Sequence, residues 1–560
     1  MKKNKIICLI SALIMTLSCI SLSGCQKDDE VIDPNTGELI DLTKTTTLQI
    51  TVFDGGLGVE WIKQVGSAFR QAYKDVSFEE GKTGVYVEIL PKKEQLEDDL
   101  LREGLKLKNE TSDLYYTSST DITSFAEAGV MADITDIVTE EIYDSETREI
   151  SEDGELSILD KMDPFYAETM NLGTKESPKY YCLPFEDCIY GLVYNHSLFE
   201  DNNWLTYSGL YGLPKTTNEF YDLLNRIYNA GYTCFTYAPN DAGFYAQQFN
   251  LGFVGQYEGY EAANLNLTFD GEYTFSGDTE PTEITPENAW RLKDQQGKKE
   301  LVYFLRRFID KKYYSNKVTS VSYPFADAQN DFVMGRLNGG SDTVAMLLEG
   351  EWWENEARDN FTTAAKRGGA EYGYGGEESD FRFMPIPQAP GGKNEKYTFG
   401  GNDGTLLFVN KNSEKKDLIK KWLQFAFSES ALETFTLNTG VTLAFNYELD
   451  ESQRASLTPF ARSTYDIKKG MYKDQCEVVR VCSHYYENEY SATTGNTMGG
   501  FGHSLETDTP GGGHYTNLWN AFVKYDATQL PADDVFASWD KQYNQSDWEA
   551  NYQAYLDALQ

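Results

Sequence analysis

Positive charge is what this sequence is shortest of. Across 560 residues, 49 Lys and Arg stand against 88 Asp and Glu, a net charge of −39. That balance disfavours nucleic acid and anionic polymers as partners. It suits a neutral ligand, and it equally suits nothing more than solubility. Histidine is scarce too, with four in the chain. No zinc-protease helix motif and no Cys-x-x-Cys pair occurs, so no metal site is expected. His503 and His514 fall in a Gly-rich stretch and read as loop rather than as metal ligands. After residue 20 no stretch approaches the ~20 apolar residues of a membrane-spanning helix.

The beginning of the chain holds its one apolar run. Lys2, Lys3 and Lys5 precede Ile6 to Ile20, a segment too short and wrongly flanked to span stably. Leu22-Ser23-Gly24-Cys25 follows, and it resembles a lipobox. Small residues before the cysteine fit the cleavage site of a lipoprotein signal peptidase. The expectation is a signal peptide over 1–24, cleavage before Cys25 and lipid on its thiol. Two or more acyl chains anchor stably, since each buried methylene contributes about 0.8 kcal/mol. The mature protein would then sit on the extracytoplasmic face of the cell membrane without crossing it. Residues 25–45 are polar, acidic and poor in aromatics, and read as a flexible tether.

Cysteine is sparse beyond the leader. Of eight in the chain, Cys182, Cys188, Cys234, Cys476 and Cys482 remain for the folded part. Cys182 and Cys188 are six residues apart, as are Cys476 and Cys482. That is ~20 Å along a strand or ~9 Å along a helix, beyond the roughly 7 Å reach of a disulfide. Neither close pair should bond unless its segment folds back, and buried thiols are the simpler reading.

What is abundant is aromatic surface, 14% of the chain, enough for a large core and too much for disorder. The length suits two or three domains. Thr47 to Phe53 alternates as a strand, and Trp61, Val65, Phe69 and Tyr73 follow at helical spacing. Val85 to Leu90 is a second strand, a helix follows, and Asp113 to Tyr116 is a third strand. This alternation predicts a parallel sheet with helices on its faces. Pro214 to Glu219 opens a helix with a Thr216–Glu219 capping box, and Gly231 ends it. Residues 343–348 and 405–409 are further strands, and the stretch from Pro531 is helical.

Several catalytic motifs fail on inspection. Gly81-Lys82-Thr83 lacks the phosphate-loop glycine, because position 76 is valine. Gly502-His503-Ser504 lacks the second glycine of a nucleophile elbow, because position 506 is glutamate. What stands out are polar and aromatic residues at strand ends, where open α/β sheets bind ligands. The strand-end candidates are Asp54, then Ser118, Ser119, Thr120 and Asp121; Trp61, on the helix after Asp54, and Tyr190, beside the Tyr-Asn strand, are taken with them. Tyr245, which follows Asp241-Ala242-Gly243 in an expected loop, joins them, as do Trp352, Trp353, Asn402 and Asp403. Aromatic rings stack on the C–H faces of sugars, while carboxylates and amides take their hydroxyls.

Six segments in order carry a family resemblance: 83–89 (TGVYVEI), 113–138, 183–199 (LPFEDCIYGLVYNHSLF), 214–231, 332–353 (FVMGRLNGGSDTVAMLLEGEWW) and 399–445. From about Thr47 onward the chain resembles the extracellular solute-binding proteins of ABC importers, the family of maltose-binding protein. The resemblance implies an α/β fold of two lobes that close on ligand like a hinge. One lobe would comprise 46–122 plus 403–452, the other 123–402 plus 453–560. It implies Thr120 at the first cleft turn and Trp352 as a stacking platform. Cys188 stands where maltose-binding protein has a carboxylate, for which Asp187 or Glu186 could substitute, and this points away from maltose. The implied partners are a small solute, with an oligosaccharide favoured, and the permease subunits of an ABC transporter. No cofactor and no catalysis are implied. The alternative is a surface glycoside hydrolase using two of the many carboxylates. The segment 240–300 is longer than the family needs.

Overall fold

The computed structural model describes residues 29–33, 36–93, 98–118, 122–402, 406–480, 507–515 and 517–559. The leader, Cys25, Ser119, Thr120, Asp121, Asp403, Cys482 and His503 lie outside them. No helix among the described residues is long and apolar enough to cross a membrane.

Two short strands, β1 (Glu30–Ile32) and β2 (Leu39–Asp41), form an antiparallel hairpin before the first sheet. This differs from the flexible tether expected over 25–45. The physical reason lies outside the segment. Arg70, on the helix Glu60–Ala72, reaches back to Asp33 at 2.9 Å and to Glu38 at 2.9 Å. Composition could not show a clamp supplied by a later helix.

The first sheet runs in the order β4-β3-β5-β14-β6. Its strands are β3 (Thr46–Phe53), β4 (Val85–Lys92), β5 (Leu114–Thr117), β6 (Cys182–Pro184) and β14 (Leu406–Val409). The first three are parallel, as the strand–helix alternation predicts. Strand β14 returns antiparallel between β5 and β6. The helix Glu60–Ala72 buries Trp61, Ile62, Val65 and Phe69, one stripe at helical spacing.

The second sheet runs β15-β13-β7-β11-β8, with β12 also on β7. These strands are β7 (Cys188–Asn195), β8 (Thr233–Thr236), β11 (Val344–Gly350), β12 (Phe381–Phe383), β13 (Tyr397–Asn402) and β15 (Cys476–Arg480). Every residue of β7 and β11 is buried, because helices cover both faces. The helix Thr217–Asn229 carries the expected capping box: Glu219 N donates to Thr216 Oγ1 and Thr216 N to the Glu219 carboxylate. The long helix Ala242–Glu258 packs on β13 at glycines; a Cβ on Gly400 would lie 2.1 Å from the Gln248 carbonyl oxygen. Close packing there needs Gly at this position.

Two large apolar cores follow the two sheets, and they place the first crossover later than expected. Phe125, Val138, Tyr143, Met162 and Tyr166 belong to the first core, beside Trp422, Phe427 and Phe445. The Tyr143 hydroxyl donates to the Gln424 carbonyl at 2.6 Å. The chain therefore passes to the second lobe near Asp187, not at residue 123. The segment 123–187 is short helices and one three-residue strand, too little periodicity to assign it to a sheet. The segment 240–300 supplies the long helix and then the β9 (Gly271–Tyr273) and β10 (Thr282–Ile284) hairpin. That hairpin has its own small core around Phe269 and Trp548.

Candidate functional site

The site is built where the ends of β7 and β11 meet the first lobe. Tyr190 and Gly350 are register partners on these antiparallel strands. Past Gly350 the chain turns, and Trp352 and Trp353 take opposite directions. Trp353 is 0% exposed. It packs among Phe332, Phe361, Phe381 and Phe460 at 5.1 to 5.8 Å between ring centroids. It is core of the second lobe, which corrects its expected ligand role. A large ring next to a buried strand fills volume first.

Trp352 is partly exposed and faces the other way. Its ring lies 5.2 Å from Tyr190, edge-on at 79°, and 6.0 Å from Tyr245. Tyr190 and Tyr245 are 6.2 Å apart. Tyr245 and Trp352 are partly exposed, while Tyr190 is 1% exposed and backs them from the core; the three rings form one wall, at spacings favourable for aromatic pairs. Tyr245 comes from the first turn of the helix Ala242–Glu258, not from a loop. A Cβ on Gly350 would lie 2.6 Å from the indole.

The first lobe touches this wall directly. A Cβ on Gly56, in the turn after β3, would lie 2.5 Å from the Trp352 ring. Gly56 has φ +76°, where side chains are disfavoured. Asn355 Nδ2 donates to the Gly56 carbonyl at 2.5 Å. Asp54 is half-buried in the same turn. Ser118 follows β5 with a buried hydroxyl that has no hydrogen-bond partner among the described residues.

Behind the wall lie buried carboxylates. Glu349 is 1% exposed; its oxygens accept from Gln329 Nε2 at 3.1 Å and from the Gly350 amide at 3.0 Å. Burial, with Glu356 beside it, pushes its pKa up to about 8. The Tyr245 hydroxyl also hydrogen-bonds Glu349, and burial raises that tyrosine above its ordinary value.

A second buried set lies at the crossover. Asp187 accepts both Arg480 Nε at 2.6 Å and Arg480 Nη2 at 2.7 Å, and the Tyr166 hydroxyl at 3.0 Å. Burial alone would raise its pKa, but Arg480, Lys468 and Lys469 outweigh it and hold it well below the carboxylate range. Its carboxylate is thus occupied by protein groups, which corrects its expected ligand role. Glu351 pairs with Lys468 at 2.6 Å and accepts the Ile189 amide at 2.9 Å.

Trp61 also departs from expectation. It lies in the first core against Tyr116, Phe185 and Phe435, 4.8 to 5.6 Å away. Its helical stripe carries it inward. Asn402 ends β13 opposite Cys188. Cys182, Cys188, Cys234 and Cys476 are buried and unbridged. The structure thus brings Tyr190, Tyr245 and Trp352 together, with the Gly56 turn that carries Asp54 against them; Ser118 follows β5, the strand paired with β3. Asn355, Lys468 and Arg480 were not legible, because their partners lie as far as 299 residues away.

Residues 60–433 match the model of the bacterial extracellular solute-binding protein family, and the chain belongs to that family. Its fold is similar to that of RafE in complex with raffinose, with TM-score 0.52 and 14% identity over 89% of this chain and 100% of that one. A probable secreted solute-binding lipoprotein from Streptomyces coelicolor gives 0.53 and 13%, over 89% and 98%. A chitin oligosaccharide binding protein gives 0.52 and 13%, over 90% and 100%. A search of curated protein sequences found no match. At these identities the likeness is one of fold: two lobes of mixed α/β structure.

Proposed function

We propose that this chain captures an oligosaccharide between its lobes and hands it to the permease of an ABC importer, held to the membrane by lipid on Cys25. The observation that carries the ligand class is the wall of Trp352, Tyr190 and Tyr245 where the lobes meet. Flat rings on one lobe and a backbone turn on the other suit a ring with apolar faces and a hydroxyl rim. The sugars named for RafE and for the chitin oligosaccharide binding protein agree with that class. The −39 charge agrees with a neutral ligand. Capture without turnover is the family's chemistry, and the acids around the wall are committed: Glu349 to Gln329 and Gly350, Glu351 to Lys468, Asp187 to Arg480.

The test is calorimetry against raffinose, chitin oligosaccharides and a wider neutral panel, with product analysis after prolonged incubation. Saturable binding without hydrolysis is expected. Hydrolysis of a bound sugar would transfer the site to a glycosidase, and binding of peptides in place of sugars would overturn the ligand class. For the anchor, Cys25→Ser should release the protein into the medium or leave its leader uncleaved. Normal cleavage with full membrane retention would defeat the lipid reading.

A further inference from the structure

Two of the three wall aromatics are neighbours in sequence to one buried carboxylate's contacts. Glu351 directly precedes Trp352, and its Oε2 accepts the amide of Ile189, which directly precedes Tyr190, at 2.9 Å. One side chain therefore ties the partly exposed ring to the buried ring that backs it. The Lys468 ammonium, from the end of the helix Pro459–Lys468, meets that same Oε2 at 2.6 Å and also donates to the Asp187 carbonyl. Side chains of the pair are 3% and 0% exposed. Asp187 in turn is held by Arg480 of the second lobe and Tyr166 of the first. The chain is continuous from wall to crossover: Trp352, Glu351, Lys468, Asp187, Tyr166.

We infer that Glu351 and Lys468 are a positioning pair for ligand capture: they fix the angle between the Trp352 and Tyr190 rings and tie that wall to the crossover on which the lobes turn. This rests on the reading of the wall as the sugar platform. A buried pair is costly to assemble and adds little net stability. Its geometry is what it supplies, since Glu351 can hold Ile189 only while its own charge is matched. The ionisable groups facing Glu351 are Lys468, Asp187 with its partner Arg480, Cys188 and Tyr447. Lys469 lies beside Asp187, and burial lowers it to about 8. Burial raises Glu351, and Lys468 is the main group opposing that rise. Without Lys468 the glutamate would hold a proton at lower pH and become an unmatched buried charge as pH rises.

The test uses the full mature chain as wild type, Lys468→Met, Glu351→Gln and the double variant, at pH 6 and pH 8.5. The first readout needs no ligand. Coupled aromatic rings give a near-ultraviolet circular-dichroism component, identified as the part lost in Trp352→Phe. Wild type is the reference at both pH values for Lys469 and for Glu349, the acid behind Tyr245 that burial lifts to about 8, so the change read is that of the variant beyond wild type. Lys468→Met should keep it at pH 6 and lose it at pH 8.5. The double variant, neutral but still able to accept from Ile189, should recover it. The second readout is raffinose and chitin-oligosaccharide affinity, expected to fall about tenfold for Lys468→Met between the two pH values and to recover in the double variant. A pH-independent Lys468→Met with an intact ring signal would overturn the inference. So would a double variant that folds and still lacks the signal. Should Lys468→Met not fold, the double variant and Glu351→Gln decide by the same two readouts. If wild type binds none of the sugars, the sugar reading fails, while the ring signal still judges the positioning.

Discussion

Trp352, Trp353 and the glutamates around them show how much one turn can divide. Trp353→Ala should leave a cavity among four phenylalanines and cost about 3–5 kcal/mol of stability. Trp352→Ala should cost little stability and roughly 2 kcal/mol or more of ligand affinity, as anchor aromatics do. Calorimetry for binding and urea titration for stability separate the two; the reverse assignment of losses would exchange their roles. Sequence put both residues at a strand end but could not divide them, because direction depends on where the turn after Gly350 points each ring. Glu354 makes a pH prediction. It is 2% exposed, with Thr458 donating at 2.6 Å, and burial lifts it from 4.5 to about 8. The folded protein thus holds this proton where the unfolded chain has released it. Stability from this site is full below the unfolded value, falls as pH rises toward the folded value and is level beyond it. Glu354→Gln should flatten the fall in unfolding free energy between pH 5 and pH 8. An unchanged slope would mean that Glu354 does not carry it.

The hairpin of β1 and β2 is the element whose order depends most on one distant residue. Asp33 is 4% exposed and Arg70 8%. Removing one partner of such a buried pair costs about 3–5 kcal/mol where the other must stay buried. Here the other can leave, because the hairpin can undock from the helix Glu60–Ala72 while the sheet behind it stays packed. Arg70→Leu should therefore expose residues 29–45 to proteolysis and fast amide exchange while ligand affinity is kept. Loss of the global transition instead would make the hairpin part of the first core. This is also where composition misled. An acidic, aromatic-poor segment reads as tether, and only the later helix supplies its counter-charge. By contrast, elements whose signal is internal were legible: the strand–helix–strand alternation of the first sheet, the 216–229 capped helix and the apolar β11 run all stand where their periodicity put them.

At the scale of the whole molecule, the proposed capture requires that the lobes meet, and two of the contacts between them come from residues just after Trp352. Asn355 reaches the Gly56 carbonyl, and Arg358 Nη2 reaches the Asn438 carbonyl at 3.1 Å. Asn438 lies on the helix Glu429–Thr439 of the first lobe. The Trp352 ring is seated against Gly56 with no room for a Cβ. Gly56 thus has two reasons to be glycine: its φ of +76° and the indole across the gap. The first reason holds in any arrangement of the lobes, and an alanine there costs about 1 kcal/mol. The second holds only when the lobes are together. Gly56→Ala should therefore leave the fold nearly as stable as wild type but shift the molecule toward separated lobes. A shift of this kind weakens apparent affinity by the fraction of closed protein lost, so roughly tenfold weaker sugar binding is expected. Small-angle scattering should show a larger radius with ligand than wild type shows. Gly56→Ala with unchanged affinity and unchanged compaction would mean that the turn yields to the indole and that closure does not depend on this contact.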